Sequence, residues 1–306
     1  SCGRIHQELL CHGISLPLQD HPDWRKLFVT DRGHMVILRD AAGKPAFAFS
    51  VGLSRSRALP GHWLMRVQHY GATNSAAVAS VGVAALAQLA IRQKNLLRAH
   101  LEVFSANQEV RKGIGQSASS LGFSRSQPPS TGYAKTLALN LAKSEEDLFL
   151  GFSRSARRNI RAPAKKGLEI RLITSAMYAE RMSALLQETF ARTGGSRQFH
   201  DWRKRIEFSN AHPGLSRITG CFPKGCDEPA SLLSFAWGCN HGDHVTHTSA
   251  ASTRQPGSNL PLSYAIAWDM ILWAQKNGAK WFDFGGITPG SFGTGDGLGG
   301  VSDFKR

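Results

Sequence analysis

The sequence predicts a mixed α/β (α+β) fold made of two similar units, and an internal repeat is the main observation behind this prediction. An apolar helical stretch that ends in Gln-Lys-Asn precedes a short strand-like stretch twice, at 76–104 and at 259–284. Each strand has one acid near its centre, Glu102 in the first copy and Asp283 in the second. The chain of 306 residues is long enough for two units, each with its own core.

The segments that precede the two helices also correspond. Residues 44–53 and 62–70 alternate in the manner of paired strands joined by a turn, and residues 229–239 and 244–249 predict a second pair. Helices are then expected at 76–95 and 259–277, and strands at 99–104 and 280–284. The same order of elements in both halves predicts two sheets, each covered by helices.

A turn-rich segment at 127–132 connects the two halves, and a strand is predicted at 135–141. We place the domain boundary after this strand, which gives domains 1–140 and 141–306. Ser144 is expected to cap a helix with three acids in its first turn, running to about Gly167 with Pro163 as a possible break. Another helix is predicted at 176–193. The sequence has no sustained heptad pattern, so no coiled-coil arm is expected.

The composition favours a basic protein that meets polyanions. Lys and Arg number 37 against 22 Asp and Glu, a formal net charge of +15. Such a surplus attracts nucleic acid, anionic lipid or phosphorylated substrates, although a basic surface also serves solubility alone. Five unevenly spaced cysteines argue against a disulfide framework and for a reducing cytoplasm. The beginning of the chain has no apolar signal segment, and the stretch 76–91 is shorter than the ~20 residues of a membrane span, so a cytoplasmic protein without stable membrane insertion is expected.

A row of basic residues marks the first candidate binding surface. On a helix these residues fall on one stripe, and no acid interrupts the segment from 154 to 166. Like charges at this spacing repel, so the pattern favours phosphate binding over a merely solvated helix face. The stripe consists of Arg154, Arg157, Arg158, Arg161 and Lys165.

Several motifs in the second half resemble the Fem family. The segments are 144–149, 157–161 and 166–170 in the middle of the chain, and 262–268, 273–278, 282–287 and Phe304-Lys305 towards its end. Members of this family take an amino acid from aminoacyl-tRNA and join it to an amine, typically on a peptidoglycan precursor or on a peptide antibiotic. The resemblance implies two GNAT-like domains in tandem, the first on the acceptor side and the second on the aminoacyl-tRNA side. Several members carry a coiled-coil arm, and the lack of a heptad pattern indicates the armless type here.

The resemblance also implies roles for individual residues. Lys305 would stabilise the tetrahedral intermediate or the tRNA terminus, with Phe304 stacking nearby. Tyr264 and Asp283 would orient the acceptor, although Asp283 also fits a polar residue satisfied at the end of a strand. Arg157, Arg158 and Arg161 would contact phosphates of the precursor or of the tRNA acceptor stem. The expected partners are aminoacyl-tRNA as co-substrate and a peptide or peptidoglycan-precursor acceptor, with no further cofactor and no metal.

Other readings of the sequence remain open beside this one. An acyl-CoA-dependent N-acyltransferase of the GNAT fold would use the degenerate turn 254–259, and a non-catalytic RNA-binding protein would need no reaction at all. The glycine-rich segment 285–300 is not followed by a helix, so it does not fit a dinucleotide fingerprint. Three cysteines and three histidines at 221–247 have loose zinc-ligand spacing, and strand alternation predicts that His244 lies opposite His241 and His247. No Gly-x-Ser-x-Gly nucleophile motif occurs, which fits direct transfer.

Overall fold

The computed structural model describes residues 2–28, 32–71, 75–126, 135–193, 200–253 and 260–287. The chain divides into two compact units, Ser1–Gln127 and Pro128–Arg306, called here the first and the second unit. None of the helices in the described ranges combines the length and the hydrophobicity that a membrane span requires.

Within its described residues the first unit has one four-stranded sheet in the order β1-β2-β3-β4. β1, β2 and β3 are antiparallel neighbours, whereas β3 and β4 are parallel and are joined by helix α3. The elements are α1 (Cys2–Cys11), α2 (Pro22–Phe28), β1 (Arg32–Arg39), β2 (Pro45–Arg55), β3 (Trp63–Tyr70), α3 (Ala76–Arg92), β4 (Leu96–Val103) and α4 (Gln108–Ser120).

The second unit has a six-stranded sheet in the order β5-β10-β9-β8-β7-β6, again counted over its described residues. Among these described strands, the pair β9–β10 alone is parallel, and helix α9 joins its two members. The elements are β5 (Lys135–Asn140), α5 (Glu145–Gly151), α6 (Arg154–Lys165), β6 (Leu168–Leu172), α7 (Ala179–Thr193), α8 (Trp202–Ala211), β7 (Ser216–Pro223), β8 (Ser234–Asn240), β9 (His244–Ser252), α9 (Leu262–Lys276) and β10 (Trp281–Ile287).

The predicted duplication is confirmed by the sheets. β1-β2-β3-α3-β4 in the first unit corresponds to β7-β8-β9-α9-β10 in the second, with a parallel last pair in both. The two Gln-Lys-Asn tripeptides lie at the carboxyl ends of the corresponding helices α3 and α9. The mixed α/β fold class, with each sheet covered by helices, is therefore as predicted.

The structure differs from the sequence-based elements in two places. β5 pairs with β10 of the second sheet, so the chain divides before β5 and not after residue 140. The predicted helix from Ser144 to about Gly167 is two helices, because the chain turns at Phe152 and the Ser153 hydroxyl accepts a hydrogen bond from the Ala156 amide and starts α6. Pro163 does not break α6, which continues to Lys165.

Each unit has its own apolar core. In the first unit α3 packs on β2 and β3, and Tyr70 lies at the centre in T-shaped contact with Phe47 and Phe49. In the second unit α9 packs on one face of the sheet with Ala236, Val245 and Phe282 beneath it. Strand alternation then places the neighbouring residues of these strands on the opposite face, which α7 and α8 approach.

Candidate functional site

The second sheet opens between β9 and β10. These parallel strands are paired over only three positions, His244–Thr246 on β9 and Trp281–Asp283 on β10. Beyond them β9 continues to Ser252 and β10 to Ile287 without pairing to each other. The corresponding strands of the first sheet stay paired as far as Tyr70 and Val103. Because the gap lies at the carboxyl ends of two parallel strands, it is the position where open α/β sheets commonly bind ligands.

Asp283 occupies the last paired position of β10 at this opening. Its side chain is 4% exposed, and Oδ1 accepts a hydrogen bond of 2.8 Å from the amide of Gly285. Gly285 has a φ of +79°, a conformation that glycine adopts without strain, and the pairing of β10 with β5 is irregular between Asp283 and Gly286. The carboxylate is therefore held by the bulge that turns β10 away from β9.

Helix α9 begins at the same edge, since it connects the carboxyl end of β9 to β10. Tyr264 lies half-buried in its first turn. The helix is fixed to the sheet by a two-pronged ion pair in which Arg217 of β7 donates to both carboxylate oxygens of Asp269 at 3.0–3.1 Å. The hydroxyl of Thr219 donates to the same carboxylate at 3.0 Å. Tyr264 and Asp283, two of the predicted site residues, are thus placed at one edge of the sheet by rigid elements.

The face of the opening opposite α9 is polar. Thr246 pairs with Cys239 on one side and with Asp283 on the other, so strand alternation places all three on this face. The hydroxyl of Thr246 is hydrogen-bonded to Nε2 of His241 at 3.1 Å and to the hydroxyl of Thr248 at 3.0 Å. A chain of polar groups therefore runs along β9 towards the gap.

The predicted separation of His241 from His244 is wrong. Their rings stack with centroids 4.9 Å apart, because His241 lies in the hairpin turn before β9 and not in the strand itself. His244 Nδ1 is 2.6 Å from the carboxylate of Asp243. The cysteines do not join them as a group: Cys221 packs under α9 and Cys239 lies on the opposite face, and burial raises the pKa of both thiols to about 12.

The predicted basic stripe lies on α6. Arg154, Arg158, Arg161 and Lys165 are exposed, and none of the four forms an ion pair with a described residue. The guanidinium of Arg161 lies 4.6 Å from the centre of the Phe149 ring, which in turn contacts Trp268 of α9 at 5.5 Å between ring centres. The charged helix is thereby packed against the helix that begins at the opening.

Arg157 differs from the other stripe residues. It is half-buried, and its Nη1 donates hydrogen bonds to the carbonyl oxygens of Leu150 at 2.6 Å and Phe152 at 3.1 Å. These carbonyls end α5, so Arg157 joins α5 to α6. Within the stripe, Arg157 is thus engaged inside the fold, and the other four residues are the ones exposed to solvent.

A cluster that the sequence analysis missed lies on the same face as Thr246. Arg205 of α8 stacks over the indole of Trp237 at 4.3 Å, and the ring of His200 lies 5.9 Å from that indole. Burial, together with the positive charge of Arg205, lowers the pKa of His200 to about 4, so the imidazole is neutral at pH 7. Alternation along β8 predicts that Trp237 and Cys239 share a face, but the approach of α8 to it has no local sequence signal.

Several predicted residues lie outside the described residues. These are Phe304 and Lys305, most of the glycine-rich segment 285–300, and the turn 254–259. The sites assigned to them remain predictions.

No protein-family model and no curated protein sequence matches the chain. Solved structures do match. The crystal structure of FemX has a TM-score of 0.71 and 14% identity, and the match covers 94% of this chain and 90% of that one. The structure of L-PGS from Bacillus licheniformis has a TM-score of 0.55 and 9% identity, with coverage of 95% and 78%. At such identities the likeness is one of fold, and it confirms the Fem-like fold expected from the motifs.

Proposed function

We propose that the protein is an aminoacyltransferase that moves an amino acid from aminoacyl-tRNA to an amine of a peptide acceptor. The acceptor is a peptidoglycan precursor or a peptide natural product, and the reaction takes place in the cytoplasm. The Fem-like fold supports group transfer at the opened second sheet, and the charge of the described surface favours a polyanionic donor.

The observation that carries the proposal is the row of four exposed cations on α6. Arginine and lysine side chains that lack carboxylate partners are suited to phosphate, and arginine binds it through two parallel hydrogen bonds. An acyl-CoA offers only a few phosphates, whereas the acceptor stem of a tRNA offers a continuous series along a helix. Because α6 packs on α9, a backbone bound along the stripe would be held by the unit that contains the sheet opening.

The reaction is aminolysis of an ester. The neutral amine attacks the ester carbonyl carbon, a tetrahedral intermediate forms, and the ester C–O bond breaks to leave the amide and the 3′-hydroxyl of the tRNA. The amine loses one proton, and the leaving oxygen gains one. We assign Tyr264 and Asp283 to orienting the acceptor amine, Lys305 to stabilising the oxyanion, and Phe304 to stacking on the tRNA terminus. No covalent enzyme intermediate is required.

A transfer assay tests the proposal directly. Radiolabelled aminoacyl-tRNAs are incubated with the protein and with peptide or peptidoglycan-precursor acceptors, in parallel with labelled acetyl-CoA, each with and without ribonuclease. Label that reaches the acceptor only from intact tRNA supports the proposal and identifies the amino acid. Transfer from acetyl-CoA that is insensitive to ribonuclease supports the acyl-CoA alternative and contradicts the proposal.

The double variant Arg154→Gln/Arg158→Gln tests the role of α6. Each lost phosphate contact on a duplex lowers the salt dependence of binding by about 0.9 in log–log slope, so the variant is expected to lose ~1.8. Arg203→Gln is the matched control, because Arg203 is an exposed helical arginine of the same unit that is already paired with Glu180 at 3.0 Å. If Arg203→Gln lowers the salt slope by as much per charge removed as the double variant does, tRNA binding depends on the net charge of the protein and not on the α6 stripe.

A further inference from the structure

The first unit contains an open groove at one end of its sheet. The groove has a volume of about 1120 Å³ and crosses all four strands at the ends where β3 and β4 begin. The register of the four strands places the lining residues beside one another. Arg32 is opposite Leu53, Arg55 is opposite Trp63, and Leu64 is next to Arg98. Three β-strand spacings of ~4.8 Å place β1 and β4 ~14 Å apart. The groove is therefore long enough to contact more than one phosphate of an extended sugar–phosphate chain.

The charged side chains that line this groove are all positive. Its lining includes Arg32, Arg55, Arg57 and Arg98, and no carboxylate. All four arginines are exposed, and none forms an ion pair with any residue that the structure describes. The same unit does pair its other strand arginines: Arg66 contacts Glu102 at 3.1 Å. Four unpaired guanidinium groups around one concave surface repel each other and are suited to a ligand with several phosphates.

An aromatic ring lies among these charges. The indole of Trp63 is half-buried in the groove, and the guanidinium of Arg55 lies 5.7 Å from its ring centre. Ser54 and Ser56 also line the groove. A basic groove with an aromatic platform is the arrangement that binds single-stranded nucleic acid, in which arginines follow the backbone and an unpaired base stacks on the ring. A membrane surface is flat and would be met by a protruding patch, whereas this surface is concave.

We infer that this groove of the first unit binds a single strand of nucleic acid, through its phosphates and one stacked base. The inference does not require the transfer reaction, since it rests on the first unit alone. The groove is called here the arginine groove, defined by Arg32, Arg55, Arg57, Arg98 and Trp63.

The test measures binding of the full chain to a fluorescently labelled single-stranded RNA of about 12 nucleotides, a length within the known range for such grooves. Anisotropy is recorded over a series of salt concentrations, with single-stranded DNA and phosphatidylglycerol vesicles as parallel ligands. Arg55→Gln/Arg57→Gln is expected to weaken RNA binding about tenfold at ~0.1 M salt and to reduce the log–log salt slope by ~1.4, the value for two phosphates of a single strand. Trp63→Leu is expected to weaken binding at least fivefold with an unchanged slope, since stacking is not ionic.

Arg66→Gln is the matched control, because it removes the same charge from the same sheet outside the groove. Circular dichroism shows that each variant is folded. The inference is overturned if the parent protein does not bind the RNA, or if the control weakens binding as much per charge as the groove variant. It is also overturned if the groove variant loses vesicle binding and keeps RNA binding, since the surface would then be a membrane contact. Failure of the transfer assay with retained groove binding would contradict the proposed reaction and leave this inference in place.

Discussion

A glycine in the core of the first unit gives a prediction that can be worked out from distances. Gly82 lies in the middle of α3, where it faces β3. A Cβ atom added there would be 2.1 Å from Oη of Tyr70, 3.2 Å from its Cζ and 3.3 Å from Cε1 of Phe49. Tyr70 has little room to move, because it is 1% exposed, its hydroxyl donates to the carbonyl of Ala79, and two phenyl rings pack against it. Gly82→Ala therefore forces a displacement in the core.

The expected magnitude combines opposing effects. Alanine in place of glycine inside a helix stabilises it by about 1 kcal/mol. Overpacking a well-packed core costs about 1–3 kcal/mol, and losing the buried hydrogen bond of Tyr70 costs a further ~1 kcal/mol. We expect Gly82→Ala to lower the free energy of unfolding of the first unit by about 1–3 kcal/mol. In the background of Tyr70→Phe, which removes the atom at 2.1 Å, the same change is expected to be close to neutral.

Urea unfolding followed by circular dichroism measures the four proteins of this double-mutant cycle. Because Tyr70 lies in the core of the first unit, the unfolding transition whose midpoint changes in Tyr70→Phe is assigned to the first unit. Gly115→Ala is the control, because Gly115 is an exposed glycine of α4 with no atom within 4 Å of the added Cβ, and it should gain up to about 1 kcal/mol. If Gly82→Ala stabilises the protein as Gly115→Ala does, or if the two changes at Gly82 and Tyr70 are additive, the packing argument is refuted.

Two further predictions concern charges. Asp20 is 3% exposed, and its burial raises the pKa to about 6 against the effect of hydrogen bonds from Ser50, so the folded state favours the protonated acid. The free energy of unfolding should therefore fall by about 2 kcal/mol as the pH rises from 4 to 7, and urea titrations of Asp20→Asn should lack this decrease. A parallel pH dependence in variant and parent would rule out Asp20 as its source. Arg217→Ala should lower the free energy of unfolding of the second unit by about 1–3 kcal/mol, because it leaves the partly buried carboxylate of Asp269 with Thr219 as its partner. The exposed ion pair of Arg203 with Glu180 should contribute under about 0.5 kcal/mol in the same unfolding assay. Similar losses for both arginines would contradict this ranking.

Local patterns in the sequence determined much of the fold. The Ser144 cap is present, since its hydroxyl accepts a hydrogen bond from the amide of Asp147, and the hairpins and the helices α3 and α9 lie where alternation and apolar periodicity placed them. These signals are readable because a cap, a turn or an amphipathic face involves residues within a few positions of each other. The order of such elements, repeated twice, was sufficient to predict two sheets of the same design.

Only the tertiary structure decided which residues meet at the site. Pairing of β5 with β10 joins segments more than 140 positions apart, and no local preference records it. The opening of the second sheet depends on a bulge at Gly285, and the hydrogen-bonded row of His241, Thr246 and Thr248 depends on the hairpin turn that precedes β9. Arg157 looks like its neighbours in the sequence, yet two backbone carbonyls hold it. Long-range pairing and burial set the role of such residues, because both are properties of the folded chain and not of its neighbouring positions.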